Sequence, residues 1–327
     1  MTIMLEVSNL RISFGSRQPV RALDGVGISV SEGEIIGLVG ESGSGKTVLS
    51  LALLGLVGPT GRVLGGEVRW LGRNLLDLPE PDIRRLRGSE VSMIFQNPQA
   101  SLNPARTVGA QFRALLRLHH GVTGAESTGE AHRLLREVGV PDPERVMDSY
   151  AFQLSPGMCQ RVMIAMAISC RPKLLIADEP TASLDATIQA QIMDLLLSLR
   201  DRLGMAILLV SHDLGVVARL CDRVAVMYLG RIVEVADAET LYSSPVHPYT
   251  QALLRSVPVP DPRMREKMQV LAGDPPDPRH IEENACRFRG RCPAAVEQCA
   301  HVDPKLSYIN QSAHAVACVR AVTVSLH

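Results

Sequence analysis

Gly40-Glu41-Ser42-Gly43-Ser44-Gly45-Lys46-Thr47 fits the pattern G-x-x-x-x-G-K-T, and its flanks are those that the pattern needs. Before it, Glu34-Ile35-Ile36-Gly37-Leu38-Val39 is a short apolar run that reads as a buried parallel strand. After it, residues 48 to 56 read as an apolar helix. A strand, a glycine loop and a helix N-terminus make an anion hole. Glycines let successive backbone N–H groups turn inward, and the helix dipole adds positive potential. Lys46 is then placed for the β- and γ-phosphates and the Thr47 hydroxyl for Mg²⁺. The stretch predicts a nucleoside triphosphate site, an ordinary glycine turn being the competing reading.

Outward from the loop, the chain alternates strands and helices. Residues 3–14 and 26–30 alternate apolar and polar positions as antiparallel strands do, and residues 66–71 add another strand. Val91 to Phe95 is a buried strand ending at Gln96, and residues 97 to about 171 have helical periodicity. Val162 to Ile168 is apolar all round, which predicts a buried helix stopped by Arg171-Pro172. Strands then recur at 174–177, 205–210, 224–227 and 232–235, with a helix closed by Gly204 between the first two. This order indicates a mostly parallel sheet covered on both faces. Beyond Ala236 prolines accumulate (Pro245, Pro248, Pro258, Pro260, Pro262, Pro275, Pro276, Pro278), as in a linker into a small tail.

Several residues stand at strand ends, the edge where α/β ligand sites form. Asp178-Glu179 follows an apolar strand. Beside a phosphate loop the aspartate is placed to complete the Mg²⁺ shell and the glutamate to polarise an attacking water; alone, the pair would read as a helix N-cap. His212 reads as a hydrogen-bond donor to the γ-phosphate, or as a structural histidine. Gln96 reads as a sensor of Mg²⁺ or the attacking water, or as a loop amide. Phe14 reads as an adenine-stacking ring or as a core side chain.

The totals bound the class. With 327 residues, 46% apolar content and a mean hydropathy of +0.11, the chain is globular, with room for one large domain and an appendage. Lys plus Arg and Asp plus Glu both number 34, so nothing favours a nucleic-acid partner. No apolar run reaches the ~18–20 residues that span a bilayer, and Met1 to Glu6 lacks the basic start of a secretory signal. Of seven cysteines, Cys286, Cys292, Cys299 and Cys318 lie in the tail, separated by five, six and eighteen residues. Without an export signal, this clustering points to metal rather than disulfides. The spacing differs from the paired C-x-x-C of zinc ribbons, but thiolates suit either iron–sulfur or zinc, and free thiols are a third reading.

Leu154-Ser155-Pro156-Gly157-Met158 precedes Asp178-Glu179 at the interval of the ATP-binding-cassette (ABC) signature, usually Leu-Ser-Gly-Gly-Gln, and resembles it. Gln96, Ser183-Leu184-Asp185 and His212 resemble the Q-, D- and H-loops of that family. Phe95-Gln96-Asn97-Pro98, Ser101-Leu102-Asn103-Pro104, Gln160 to Ala167 and Pro245-Val246-His247-Pro248-Tyr249-Thr250 resemble its dipeptide/oligopeptide importer branch. The resemblance covers essentially the whole chain.

It implies an α/β P-loop ABC ATPase with a RecA-like core, an antiparallel β subdomain and an α-helical subdomain near 97–171. The nucleotide-binding domain would span 1–235, and a Cys-rich C-terminal extension 236–327. It implies that Phe14, the loop residues Gly40, Glu41, Ser42, Gly43, Ser44, Gly45, Lys46 and Thr47, and also Gln96, Ser155, Gly157, Asp178 and Asp185, bind ATP. Mg²⁺ would sit at Thr47, Gln96 and Asp178, with Lys46, Gln96, Glu179 and His212 serving hydrolysis. Cys286, Cys292, Cys299 and Cys318 would hold a 4Fe–4S cluster, with Arg287, Arg289 and Arg291 lowering the negative charge around it.

The implied partners are a second ABC ATPase subunit in a head-to-tail heterodimer, two membrane permeases and, indirectly, an extracytoplasmic substrate-binding protein. This places the chain peripherally on the cytoplasmic face of the cell membrane. A nickel, opine or glutathione importer would share these features. A soluble ABC ATPase in DNA repair or translation would show coiled-coil insertions or two cassettes, and neither is visible. A metal or redox sensor built on a cassette rests on the four cysteines alone. Two departures stand out: Pro156 replaces the signature glycine, and Cys159 stands where this branch usually has arginine. Proline suits the first helical position, but it removes an N–H that would otherwise face a phosphate.

Overall fold

The computed structural model describes residues 2–17, 19–182, 184–256, 273–309 and 313–324. Ser183 of the D-loop and Pro258, Pro260 and Pro262 of the proline-rich stretch lie outside the described residues. Among the described residues no helix is long and apolar enough to cross a membrane.

In chain order the first elements are β1 (Ile3–Phe14), β2 (Val20–Ser31), β3 (Ile35–Val39), α1 (Lys46–Leu53), β4 (Gly61–Trp70), β5 (Arg73–Asn74), α2 (Glu80–Leu86) and β6 (Val91–Ile94). A helical run follows: α3 (Pro98–Ser101), α4 (Val108–His120), α5 (Gly124–Glu137), α6 (Pro143–Asp148) and α7 (Pro156–Ile168). Alternation resumes with β7 (Leu174–Asp178), α8 (Ala186–Leu203), β8 (Ala206–Val210), α9 (Leu214–Leu220), β9 (Arg223–Tyr228) and β10 (Arg231–Asp237). The tail adds α10 (Ala238–Ser243), α11 (Pro248–Arg255), β11 (Ser307–Tyr308), β12 (Ala315–Val316) and α12 (Val319–Val324).

These elements form two compact units. The first comprises Met1–Ser31, Ile35–Asp77 and Leu209–His327; the second comprises Glu32–Glu34 and Leu78–Leu208. In the first unit, β2-β1-β4-β5 is an antiparallel sheet, as the alternation of residues 3–14 requires. Its second sheet runs β11-β12-β10-β9-β3. There β3 lies parallel to β9, pairing Leu38 with Ala225, while β9–β10 and β10–β12 are antiparallel. Beyond the strand read at residues 232–235, Ala315 and Val316 extend the sheet by pairing with Val235 and Glu234. A two-residue strand is too short to announce itself by periodicity.

In the second unit, β6 and β7 pair in parallel. Next to them packs the helical run, whose core includes Phe112, Leu116, Leu134, Leu135 and Ile164. The all-apolar stretch of α7 is buried around nearly its whole circumference, as its composition predicts. Gly204, at φ 66°, closes α8 by taking the left-handed conformation that glycine tolerates.

Candidate nucleotide site

In the first unit the strand–loop–helix geometry is present. Gly40 follows β3 and is packed so closely that a Cβ there would lie 2.1 Å from the Met227 carbonyl oxygen. Gly45 occupies the N-cap of α1 at φ 109°, and a Cβ there would meet the Ala22 carbonyl at 2.6 Å. Only glycine permits both backbone approaches. No side chain caps α1, so no side-chain acceptor occupies its N-terminus. Thr47 is exposed on the first turn, and Ser42 and Gly43 are exposed at the loop's tip.

Lys46 is buried, and its Nζ donates to the carbonyl oxygens of Gly40 and Glu41, both at 2.9 Å, with Ser44 Oγ at 3.5 Å. The ammonium is thus folded back over the loop that it serves. Phe14, at the end of β1, is half-buried, with its ring edge beside Gly61. His212 is exposed between β8 and α9, directly before Asp213, whose carboxylate caps α9 by accepting from the Gly215 and Val216 amides.

The loop has further partners that sequence reasoning missed. The Glu41 amide donates to the Tyr249 hydroxyl at 2.9 Å. The Glu41 carboxylate takes a two-pronged contact from Arg291, with Nη1–Oε2 at 2.7 Å and Nη2–Oε1 at 2.8 Å. Tyr249 is fully buried, packed against the rings of Tyr228 and Phe288, and burial raises its hydroxyl pKa above the usual tyrosine range. The signal was partly visible: Tyr249 stands in the rare word Pro-Val-His-Pro-Tyr-Thr, which the resemblance marked without assigning a task.

The second unit carries the other candidates. Asp178 ends β7 and is 1% exposed. The next residue, Glu179, has φ 46°, a left-handed conformation costing about 1–3 kcal/mol in a residue with a side chain. Gln96 Nε2 donates to Glu179 Oε2 at 2.7 Å, which joins two of the residues named for hydrolysis. Ser155 caps α7, its Oγ accepting from the Met158 amide at 3.3 Å, and Pro156 occupies the helix start, as predicted for that position. Asp185 caps α8 through the Thr187 and Ile188 amides, and Gly157 lies against Ile188. Cys159 is fully buried, its thiol donates to the Ala151 carbonyl, and burial raises its pKa.

In the tail, Cys286, Cys292, Cys299 and Cys318 are free thiols. The Cys286 amide donates to the Cys299 carbonyl at 2.9 Å. Burial pushes the Cys286 thiol up to about 11, and the nearby Cys299, Cys318 and Cys292 push the same way. Among the described residues, no group of three or more His, Cys, Asp or Glu is arranged to hold a metal ion. The arginines expected to screen the thiolates do something else. Arg287 binds Asp24 and the Leu229 carbonyl, Arg289 binds Glu282, and Arg291 binds Glu41. Carboxylates offer the planar, charge-assisted acceptors that a guanidinium fork prefers.

The comparisons with known proteins agree with this geometry. The model of the family described as "ABC transporter" matches residues 23–182, and that of "Oligopeptide/dipeptide transporter, C-terminal region" matches residues 233–299. A solved dimeric ATP-binding cassette in a post-hydrolysis state, bound to ADP and phosphate, is 26% identical with a TM-score of 0.63, covering 72% of this chain and 99% of that one. The fold is thus the ABC ATPase cassette. A dipeptide transport ATP-binding protein of Escherichia coli is 46% identical, over 94% of this chain and 93% of its own. An oligopeptide transport ATP-binding protein of Bacillus subtilis is 44% identical, over 97% of both. The chain belongs to the dipeptide/oligopeptide branch of the ABC transporter ATPases.

Proposed function

We propose that this chain hydrolyses ATP to drive uptake of dipeptides or oligopeptides through a membrane importer. The observation that carries this reading is the pair of near-full-length relatives named for peptide transport, together with a phosphate loop whose lysine, glycines and uncapped helix are in place. Lys46 would exchange the Gly40 and Glu41 carbonyls for the β- and γ-phosphates. Thr47, Asp178 and Gln96 would hold Mg²⁺, which neutralises charge on the transferred phosphoryl group. Glu179, turned by its left-handed backbone and bonded to Gln96, would orient the attacking water, and His212 would donate to the γ-phosphate.

The working unit proposed is a head-to-tail heterodimer with a second ABC ATPase, beneath two permeases on the cytoplasmic face of the membrane and supplied by an extracytoplasmic binding protein. Ser155 and Gly157 would close the partner's site. Pro156 offers no N–H there, so that site should turn over slowly. In a complex reconstituted with its permeases, peptide-loaded binding protein should stimulate ATP hydrolysis, and Lys46→Ala should abolish it. Stimulation by a metal ion instead of peptide would reassign the cargo.

For the tail we propose that Cys286, Cys292, Cys299 and Cys318 hold a 4Fe–4S cluster. The support is the hydrogen bond from the Cys286 amide to the Cys299 carbonyl, which joins two of the four segments, and their soft thiol chemistry. The cluster's chemistry would be one-electron transfer, or simply cross-linking of the tail. Iron and sulfide analysis with a visible spectrum of anaerobically purified protein tests this; zinc or empty thiols would refute it.

A further inference from the structure

Glu41 is an acid near the start of a loop built to receive polyphosphate. A carboxylate there repels the ligand, and the effect is strong near a low-dielectric wall. The structure answers this charge from a distance of 250 residues in sequence, through the two-pronged contact of Arg291. The Arg291 side chain is only 7% exposed, lies over the Tyr228 ring and has its Nη1 3.4 Å from the Tyr228 hydroxyl. Tyr249 fixes the Glu41 amide, and Lys46 engages the Glu41 carbonyl. Glu41 is therefore held at its amide, its carbonyl and its carboxylate, two of these from the C-terminal region.

We infer that Arg291 is a positioning residue for nucleotide binding: it draws the Glu41 carboxylate aside and neutralises it, so that the loop presents no uncompensated negative charge to the phosphates. The inference rests on the reading of residues 40–47 as a triphosphate site. It makes the tail part of the nucleotide site's electrostatics. It also explains why the guanidinium beside Cys292 is directed to a carboxylate of the loop.

The test is binding of a fluorescent ATP analogue to the full-length chain, at low and high salt, for four variants. Arg291→Ala should weaken binding about tenfold at low salt, and the deficit should shrink as salt screens the exposed carboxylate. Glu41→Gln should tighten binding, although it breaks the same ion pair. Glu41→Gln with Arg291→Ala should return binding to within about threefold of the unaltered chain, and Arg291→Lys should be intermediate, since a point charge replaces the fork. Thermal unfolding of each variant separates binding loss from loss of fold. If Arg291→Ala does not fold, Arg291→Lys and Glu41→Gln still decide by the sign of their effects. Equal weakening by Arg291→Ala and Glu41→Gln, or a salt-independent deficit, would overturn the inference in favour of a clamp that only stiffens the loop. If the unaltered chain does not bind the analogue, the triphosphate reading itself fails, an outcome distinct from either.

Discussion

Gln96 and Glu179, 83 residues apart in sequence, are joined by a 2.7 Å hydrogen bond at the ends of two parallel strands. The amide holds the carboxylate that we propose orients the attacking water. General-base assistance is worth about a hundredfold or more. Glu179→Gln should therefore cut ATP turnover by at least that factor and leave nucleotide affinity nearly unchanged, as single-turnover and equilibrium binding measurements would show. Turnover within tenfold of the unaltered protein would remove Glu179 from the chemistry.

Pro156 starts α7 without an N–H. A hydrogen bond to a charged group contributes about 1.5–3 kcal/mol, so restoring the donor should speed the site that we propose this helix closes. Pro156→Gly in the assembled complex is expected to raise ATP turnover about tenfold, with slight loss of stability as glycine frays the helix start. Unchanged turnover would show that the signature amide at this position is not used.

Gly40 is held against the Met227 carbonyl. Adding a methyl group there forces β9 away from β3 or closes the loop. Gly40→Ala is predicted to abolish nucleotide binding and to cost about 3 kcal/mol or more of stability. Chemical denaturation gives the second figure independently of activity.

His247 is buried; its Nδ1 accepts from the Tyr249 amide, its own amide donates to Glu234, and its ring lies beside Phe288. Burial lowers its pKa from 6.5 to about 4. Between those values the unfolded chain binds a proton that the folded chain refuses. The stabilisation is thus complete above about pH 6.5 and is lost as pH falls towards 4. From pH 7 to pH 5 this amounts to about 2 kcal/mol. Urea titrations at both values should show the loss, and His247→Asn should flatten it; an equal slope in the variant would assign the acid sensitivity elsewhere.

The elements near the phosphate loop could be read from sequence because their causes are local. A period of two showed β1, an apolar run showed β3, and Gly204 marked the end of α8. Gln96 and Asp178 could be placed from sequence because each stands at a strand end, and Ser155 and Asp185, marked by the resemblance, because each caps a helix. The tail was not readable in the same way. Arg287, Arg289 and Arg291 look like one basic turn, yet each serves a different carboxylate, and nothing in their spacing names Asp24, Glu282 or Glu41. Cys159, notable as a departure from the signature, is a core thiol satisfied by Ala151. Composition gives the chemistry of such groups, but tertiary structure chooses their partners.

The pairing of β3 with β9, and of Glu41 with Tyr249 and Arg291, also sets a timetable for synthesis. The loop leaves the ribosome early, while its neighbouring strand β9 and its counter-charge are still untranslated. At about 5–20 residues per second, Arg291 follows Glu41 by roughly 12–50 s. During that interval the nascent loop carries an uncompensated acid, and until β9 is made it also lacks that strand beside β3. A chain released before Arg291 is accordingly not a smaller version of this ATPase but one whose phosphate loop was never finished.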